Sequence, residues 1–148
     1  MMDSEILRAF TTYAIIVILK MMLMSPLTSY FRLTRKVFAN LEDSKLVSPI
    51  LDKALVRVDP AVERVRRCHL NDLENVIPFL AVGFLYALTG PELSTALLHY
   101  RIFAGARIFH TFAYILAFPQ PCRALGFMVG LLVTVHMAFR VLGSVLLL

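Results

Sequence analysis

The chain has 148 residues, of which 59% are hydrophobic and 17% charged, with a net charge of +5. That composition is too apolar for a water-soluble domain and indicates one all-α, polytopic membrane domain over residues 1–148. The positive charge is not a nucleic-acid signal, because nine of the 15 lysines and arginines lie between Arg32 and Arg67 instead of spreading over a surface.

A first membrane helix is predicted over about residues 6–31. Asp3 and Glu5 precede it where a signal peptide would be basic, and no A-x-A-like site follows, so the segment is expected to stay in place. Lys20 interrupts the apolar run YAIIVILKMMLM. An ionisable side chain at that depth is costly and faces a protein partner, for which Asp72 is the candidate. Pro26 is expected to kink the end of this helix. The loop over about 32–60 is polar and basic, which places it in the cytosol and predicts a mobile segment. Asp59-Pro60 closes it as an N-cap followed by proline at the first helical position.

The second helix, about 61–89, joins the charged VERVRRCHLNDLE to the apolar VIPFLAVGFLYAL. The apolar part alone is short of the roughly 20 residues a span needs, so the two parts read as one helix, wet at its outer end. At 3.6 residues per turn, Glu63, Arg67, Asn71 and Glu74 share one stripe, with Asp72 on the opposite side. A polar, mostly anionic ligand suits that stripe. Pro78 cannot donate to the Glu74 carbonyl, which either opens a pocket at membrane depth or is an ordinary transmembrane proline.

Gly90-Pro91 ends the second helix, and Ser94 or Thr95 is expected to cap a third over about 94–118. Arg107, His110 and Tyr114, spaced i, i+3, i+7, share one of its faces. A fourth helix, about 122–147, follows FPQPCR and carries Arg123 in its first turn, where a cation opposes the helix dipole. Four spans put both termini in the lumen and the 119–123 turn beside the cytosol. Cys68 and Cys122 then face a reducing compartment, so no structural disulfide is expected. Each adjoins an arginine, which leaves incidental thiols and a redox sensor both open.

No G-x-S-x-G, P-loop, C-x-x-C or H-E-x-x-H motif is present. His69, His99, His110 and His136 show no metal-ligand spacing, so no metal is expected. What remains is a polar set at the cytosolic helix ends: Arg32, Arg67, Asn71, Glu74, Arg107, His110, Tyr114 and Arg123. Arginines grip carboxylates in bidentate fashion and Glu74 suits an ammonium, so a small peptide acid with two carboxylates and one amine fits. A thiol on that ligand would be drawn toward thiolate by a nearby arginine, at about 1.4 kcal/mol per unit of pKa. Snorkelling arginines and structural ion pairs explain the same residues equally well. Spacing leaves the two readings open.

The segment VERVRRCHLNDLENVIPF, preceded by RLTRKVFAN and followed by GARIFHTFAY, resembles the superfamily of membrane-associated proteins in eicosanoid and glutathione metabolism (MAPEG), and within it the glutathione transferase branch. The resemblance extends from SEILRAFTTYA through GPELSTALLHYRIF to QPCRALGF, almost the whole chain. It implies a four-transmembrane-helix bundle assembled as a homotrimer, with glutathione as co-substrate bound between subunits near the cytosolic face. It implies conjugation of glutathione to hydrophobic electrophiles, with peroxidase activity toward lipid hydroperoxides. By position, Arg32, Arg67, Asn71, Glu74, His110 and Tyr114 would hold glutathione, Arg107 would support that face, and Arg123 would be the catalytic residue that stabilises the thiolate. The expected location is the endoplasmic reticulum membrane, with the mitochondrial outer membrane as a second site. Two alternatives come from the same superfamily. The prostaglandin E synthase branch is disfavoured because Ala124, Phe127 and Met128 lack the hydroxyls expected in its pocket. The non-enzymatic lipid-binding adaptor branch is disfavoured by Arg123 and the helix 2 stripe. Ser44 stands where the transferase branch is expected to carry a regulatory cysteine.

Overall fold

The computed structural model describes residues 4–146, so Asp3 and the expected end of the last helix at residue 147 lie outside the described residues. The chain folds into four helices: α1 (Glu5–Arg35), α2 (Pro60–Leu88), α3 (Leu93–Ile115) and α4 (Cys122–Val145). They alternate in direction, with α2 and α3 each packed against both α1 and α4. This is an up-and-down bundle. Two of the helices, α1 and α4, are long and apolar enough to cross a membrane. Large apolar side chains point outward along the bundle, including Leu19 at 59%, Met22 at 61% and Phe139 at 68% exposure. That is the surface of a protein solvated by lipid.

Local chemistry fixes the helix ends. Ser4 accepts from the Leu7 N–H at the start of α1. The helix runs to Arg35, four residues past the expected stop. It ends where Lys36 adopts a left-handed φ of 51° and returns its N–H to the Arg32 and Leu33 carbonyls. At α2, Asp59 accepts from the Ala61 and Val62 N–H groups at 2.8 and 3.3 Å, with Pro60 at the first helical position. The expected cap of α3 is corrected. Glu92 occupies the N-cap and α3 starts at Leu93, so Ser94 and Thr95 lie inside the first turn, where their hydroxyls donate to the Glu92 carboxylate at 2.5 and 3.2 Å. The helix stops at Ile115, short of 118, because Ala117 turns to a φ of 55° and the Phe118 N–H closes onto the Ala113 carbonyl. Pro26 and Pro78 both lie inside their helices.

The connection between α1 and α2 is not the mobile segment its polarity predicts. It is folded into two short 3₁₀ turns, Glu42–Leu46 and Lys53–Leu55, and tied by the Phe38 N–H to the Leu55 carbonyl at 2.9 Å. Ser44 is fully buried; its hydroxyl donates to the Leu41 carbonyl and accepts from the Asp52 N–H. Buried Val37 and Phe38 anchor the segment on the bundle.

Two kinds of interior result. Toward the α1 N-terminus the core is aromatic: Phe79 and Phe103 stack at 3.7 Å, surrounded by Phe10, Tyr86 and Tyr100. Toward the other end it is ionic. Asp72 Oδ1 accepts from Lys20 Nζ of α1 at 2.5 Å and from Arg107 Nη2 of α3 at 2.7 Å. Asp72 and Arg107 are completely buried. Removing Asp72 would cost about 3–5 kcal/mol, since both cations would be left buried and unmatched.

The α2 cap also predicts an acid response. Burial alone pushes the Asp59 carboxyl up, but hydrogen bonds from Ala61 and Val62 and the Arg35 guanidinium outweigh it and hold the group below its ordinary value of 3.8. A depressed folded value gives a stabilisation that is complete above that ordinary value and is lost as pH falls through the folded one. The melting midpoint of the wild-type protein is therefore expected to drop more steeply on acidification below 3.8 than that of Asp59→Asn. Parallel pH profiles would remove Asp59 from this role.

Candidate active site

Where α2, α3 and α4 meet at the ionic end, Asn71, Glu74, His110, Tyr114, Gln120, Arg123, Ala124, Phe127 and Met128 line a cleft of about 330 Å³. Each helix brings its residues by register. Asn71 and Glu74 are one turn apart on α2, His110 and Tyr114 one turn apart on α3, and Arg123 is the second residue of α4. The Arg123 guanidinium sits over the Tyr114 ring, 5.1 Å from its centroid, and that ring lies 4.9 Å from the His110 ring. Arg123 Nε is buried and has no hydrogen-bond partner. Among the described residues, no carboxylate forms an ion pair with this cation. A cation–π contact orients a guanidinium without neutralising it, so the cleft carries a positive charge held in place for an anion. Glu74, exposed on the α2 side, supplies the opposite charge across the cleft. Ala124, Phe127 and Met128 form an apolar wall beside these groups.

Three of the residues singled out from the sequence lie elsewhere. Arg107 does not line the cleft. It is fully buried behind His110, with Nη2 between Asp72 Oδ1 and His110 Nδ1, the latter at 3.1 Å. Arg32 lines a second cleft of about 250 Å³ with Val37, Phe38, Asp59, Glu63 and Arg66. Arg67 is exposed on α2 and outside the first cleft. The stripe read along helix 2 thus divides: Glu63 bonds Arg66 at 2.7 Å beside the second cleft, while Asn71 and Glu74 serve the first.

Sequence reasoning missed several contributors. Gln120, in the turn before α4, lines the cleft. Asn75 is buried behind it, with neither amide atom hydrogen-bonded. Its position one turn after Asn71 was the available signal. Both cysteines are free, and Cys68 is buried, with its Sγ 3.6 Å from the Thr111 hydroxyl. Cys68 Sγ, an Asp72 oxygen and a His110 nitrogen lie within 4.8 Å of one another, a metal-ligating combination that histidine spacing did not reveal. One atom of each of two of its groups is already engaged, while Asp72 Oδ2 and His110 Nε2 are buried without hydrogen-bond partners. Lys20 and Arg107 occupy Asp72 Oδ1, and Arg107 faces His110 Nδ1. A metal ion there would join two cations that are in place already.

Residues 10–143 match the model of the MAPEG family. The chain is 58% identical over 144 residues to microsomal glutathione S-transferase 1 of Homo sapiens, covering 97% of this chain and 93% of that protein. It is 57% identical to the Mus musculus protein of the same name over 145 residues, 97% and 94% of the two chains. Prostaglandin E synthase of Homo sapiens is 35% identical over 141 residues, 95% and 91% of the two chains.

The cleft depends on how closely α4 approaches α3. A Cβ on Gly126 would stand 3.0 Å from His110 Cβ and 3.2 Å from His110 Cα, so backbone would have to move. Gly126→Ala would gain up to about 1 kcal/mol of helix propensity but overpack at a cost of about 1–3 kcal/mol. A lowered melting midpoint is expected. Gly143→Ala, where an added Cβ meets nothing within 4 Å, is expected to be neutral or stabilising. Equal effects at the two glycines would show that close α3–α4 contact is not required.

Proposed function

The chain belongs to the MAPEG family, and on that premise we propose that it is a membrane-bound glutathione transferase whose active site is the cleft between α2, α3 and α4. The observation that carries this reading is Arg123: a cation stacked on Tyr114, with an unpartnered N–H, opening α4 beside an apolar wall.

Glutathione is the co-substrate. It carries two carboxylates, one ammonium and a thiol. Glu74 suits the ammonium; Asn71, His110 and Tyr114 supply hydrogen bonds; arginines take the carboxylates. Arg123 stabilises the thiolate. A cation within about 4–6 Å lowers an acid's pKa by about 1–3 units, so at neutral pH the bound thiol changes from a minor to a substantial thiolate fraction. The thiolate then attacks an electrophilic carbon, forming a carbon–sulfur bond as the leaving group departs with its electron pair. Ala124, Phe127 and Met128 offer that electrophile an apolar bed, and a hydrophobic substrate reaches it through the lipid. With a lipid hydroperoxide the thiolate attacks the peroxide oxygen, and a second glutathione completes reduction to the alcohol, water and glutathione disulfide.

Arg32 and Arg67 lie outside the cleft, and the carboxylates of glutathione need more cations than Arg123 supplies. A neighbouring copy that brings its own α1 and α2 ends against the cleft would provide them. That need agrees with what the family resemblance implies, and our reading is a homotrimer of four-span subunits with glutathione at each subunit boundary. Basic residues in the α1–α2 connection favour a cytosolic position for that end and the opposite side for the termini, and the family resemblance implies the endoplasmic reticulum or mitochondrial outer membrane. The apolar wall, without a hydroxyl at Ala124, Phe127 or Met128, favours a general transferase over a prostaglandin isomerase.

Steady-state conjugation of glutathione to an aryl halide tests the assignment. Arg123→Ala is expected to lower kcat by about 10–30-fold at neutral pH, with a smaller change in KM for glutathione. The upper bound is set because a thiol of ordinary pKa, about 8.5, is already about 3% thiolate there. Glu74→Gln is expected to act mainly on KM. Full activity in Arg123→Ala would refute the role of that residue, and a wild-type protein that binds no glutathione would favour a lipid-binding adaptor.

A further inference from the structure

Arg107 does not line the cleft, yet it touches a residue that does, His110, and decides its state. Its Nη2 donates to Asp72 Oδ1 at 2.7 Å and lies 3.1 Å from His110 Nδ1. A guanidinium has five N–H donors and no acceptor, so the contact with His110 is a hydrogen bond only if Nδ1 presents a lone pair. A neutral imidazole with a lone pair on Nδ1 carries its proton on Nε2. A doubly protonated ring would set N–H against N–H and a third cation beside Lys20 and Arg107. The contact therefore selects one tautomer. His110 Nε2 is buried without a partner, and the ring lines the cleft, so this nitrogen is the one left for a ligand.

We infer that Asp72 is a positioning residue for the cleft: by anchoring Arg107 it locks His110 as the Nε2–H tautomer, so that the ring serves as a hydrogen-bond donor to an anionic ligand and not as a base. Asp72 is suited to this because it is held from two sides. Lys20 reaches it from α1 and Arg107 from α3, both on Oδ1, which ties three helices to one oxygen. Lys20 has no hydrogen bond to His110. Its removal leaves Asp72 and Arg107 as a neutral pair. The identity of the acceptor, a carboxylate or the sulfur of glutathione, rests on the function proposed above. The tautomer is a property of the chain itself.

The test uses full-length protein in lipid nanodiscs, labelled with ¹⁵N in its histidine rings and kept free of glutathione. The His110 signals are those lost in His110→Gln. The expected wild-type spectrum shows a protonated Nε2 and an unprotonated Nδ1 at neutral pH, unchanged in Lys20→Met. In Asp72→Asn the ring is expected to populate both tautomers and KM for glutathione to rise about tenfold, the cost of one hydrogen bond to a charged acceptor. His110→Gln, which keeps a donor near the Nε2 position, is expected to bind glutathione better than His110→Ala. A wild-type ring protonated on Nδ1 overturns the inference, and it does so even if Asp72→Asn does not fold. A folded Asp72→Asn that keeps the Nε2–H lock overturns the role of Asp72. A correct tautomer in a protein that binds no glutathione refutes the transferase reading and leaves the lock standing.

Discussion

One carboxylate oxygen organises the polar end of this bundle. Asp72 Oδ1 receives a lysine from α1 and an arginine from α3, all inside helices whose outer surfaces are apolar. Charged side chains placed singly at such depth are strongly disfavoured, by about 2.5–3.5 kcal/mol each on insertion scales. Clustering them is the physical answer, and it has a geometric consequence. A shared acceptor permits only one register among α1, α2 and α3. The aromatic stack of Phe79 and Phe103 at the opposite end fills volume, whereas the ionic cluster sets position.

Helix α4 completes the arrangement by close approach. Gly126 and Gly130 present backbone to α3 and α2; an added Cβ at Gly130 would meet Asn75 Oδ1 at 3.0 Å and Arg107 Cδ at 3.4 Å. That proximity brings Arg123, at the start of α4, over Tyr114. The helix dipole does not favour a cation at that position, and within the cleft Arg123 gains ring contact without charge neutralisation. The site therefore combines a rigid interior, an uncompensated cation at its rim and an apolar wall. This is the combination a thiolate and a lipid-borne electrophile require.

Some of this was legible in the residues themselves. A lone lysine in an apolar run demands a partner, and Lys20 with Asp72 follows from that demand. Asp59-Pro60 states its own cap. Other features depend on information that a single helix pattern does not hold. Arg107 shares a face with His110 and Tyr114, yet its length carries its guanidinium back into the bundle to Asp72, which periodicity does not specify. The helix 2 stripe extends over several turns, longer than one cleft, so Glu63 and Glu74 serve different surroundings. The 36–59 connection looked polar and loose because its anchors, Phe38 and the buried Ser44 hydroxyl, are isolated residues without a period. At α3, two hydroxyls that suit a cap fall inside the first turn, because the helix starts at Leu93 and Glu92 takes the cap position.

The central claim is that a fixed cation in the cleft converts bound glutathione to its thiolate. The most direct measurement is the ultraviolet difference spectrum of detergent-purified protein on adding glutathione at neutral pH, with bound ligand counted in parallel by equilibrium dialysis. The account predicts thiolate absorbance that rises with occupancy and saturates with it. Bound glutathione without thiolate absorbance would contradict it.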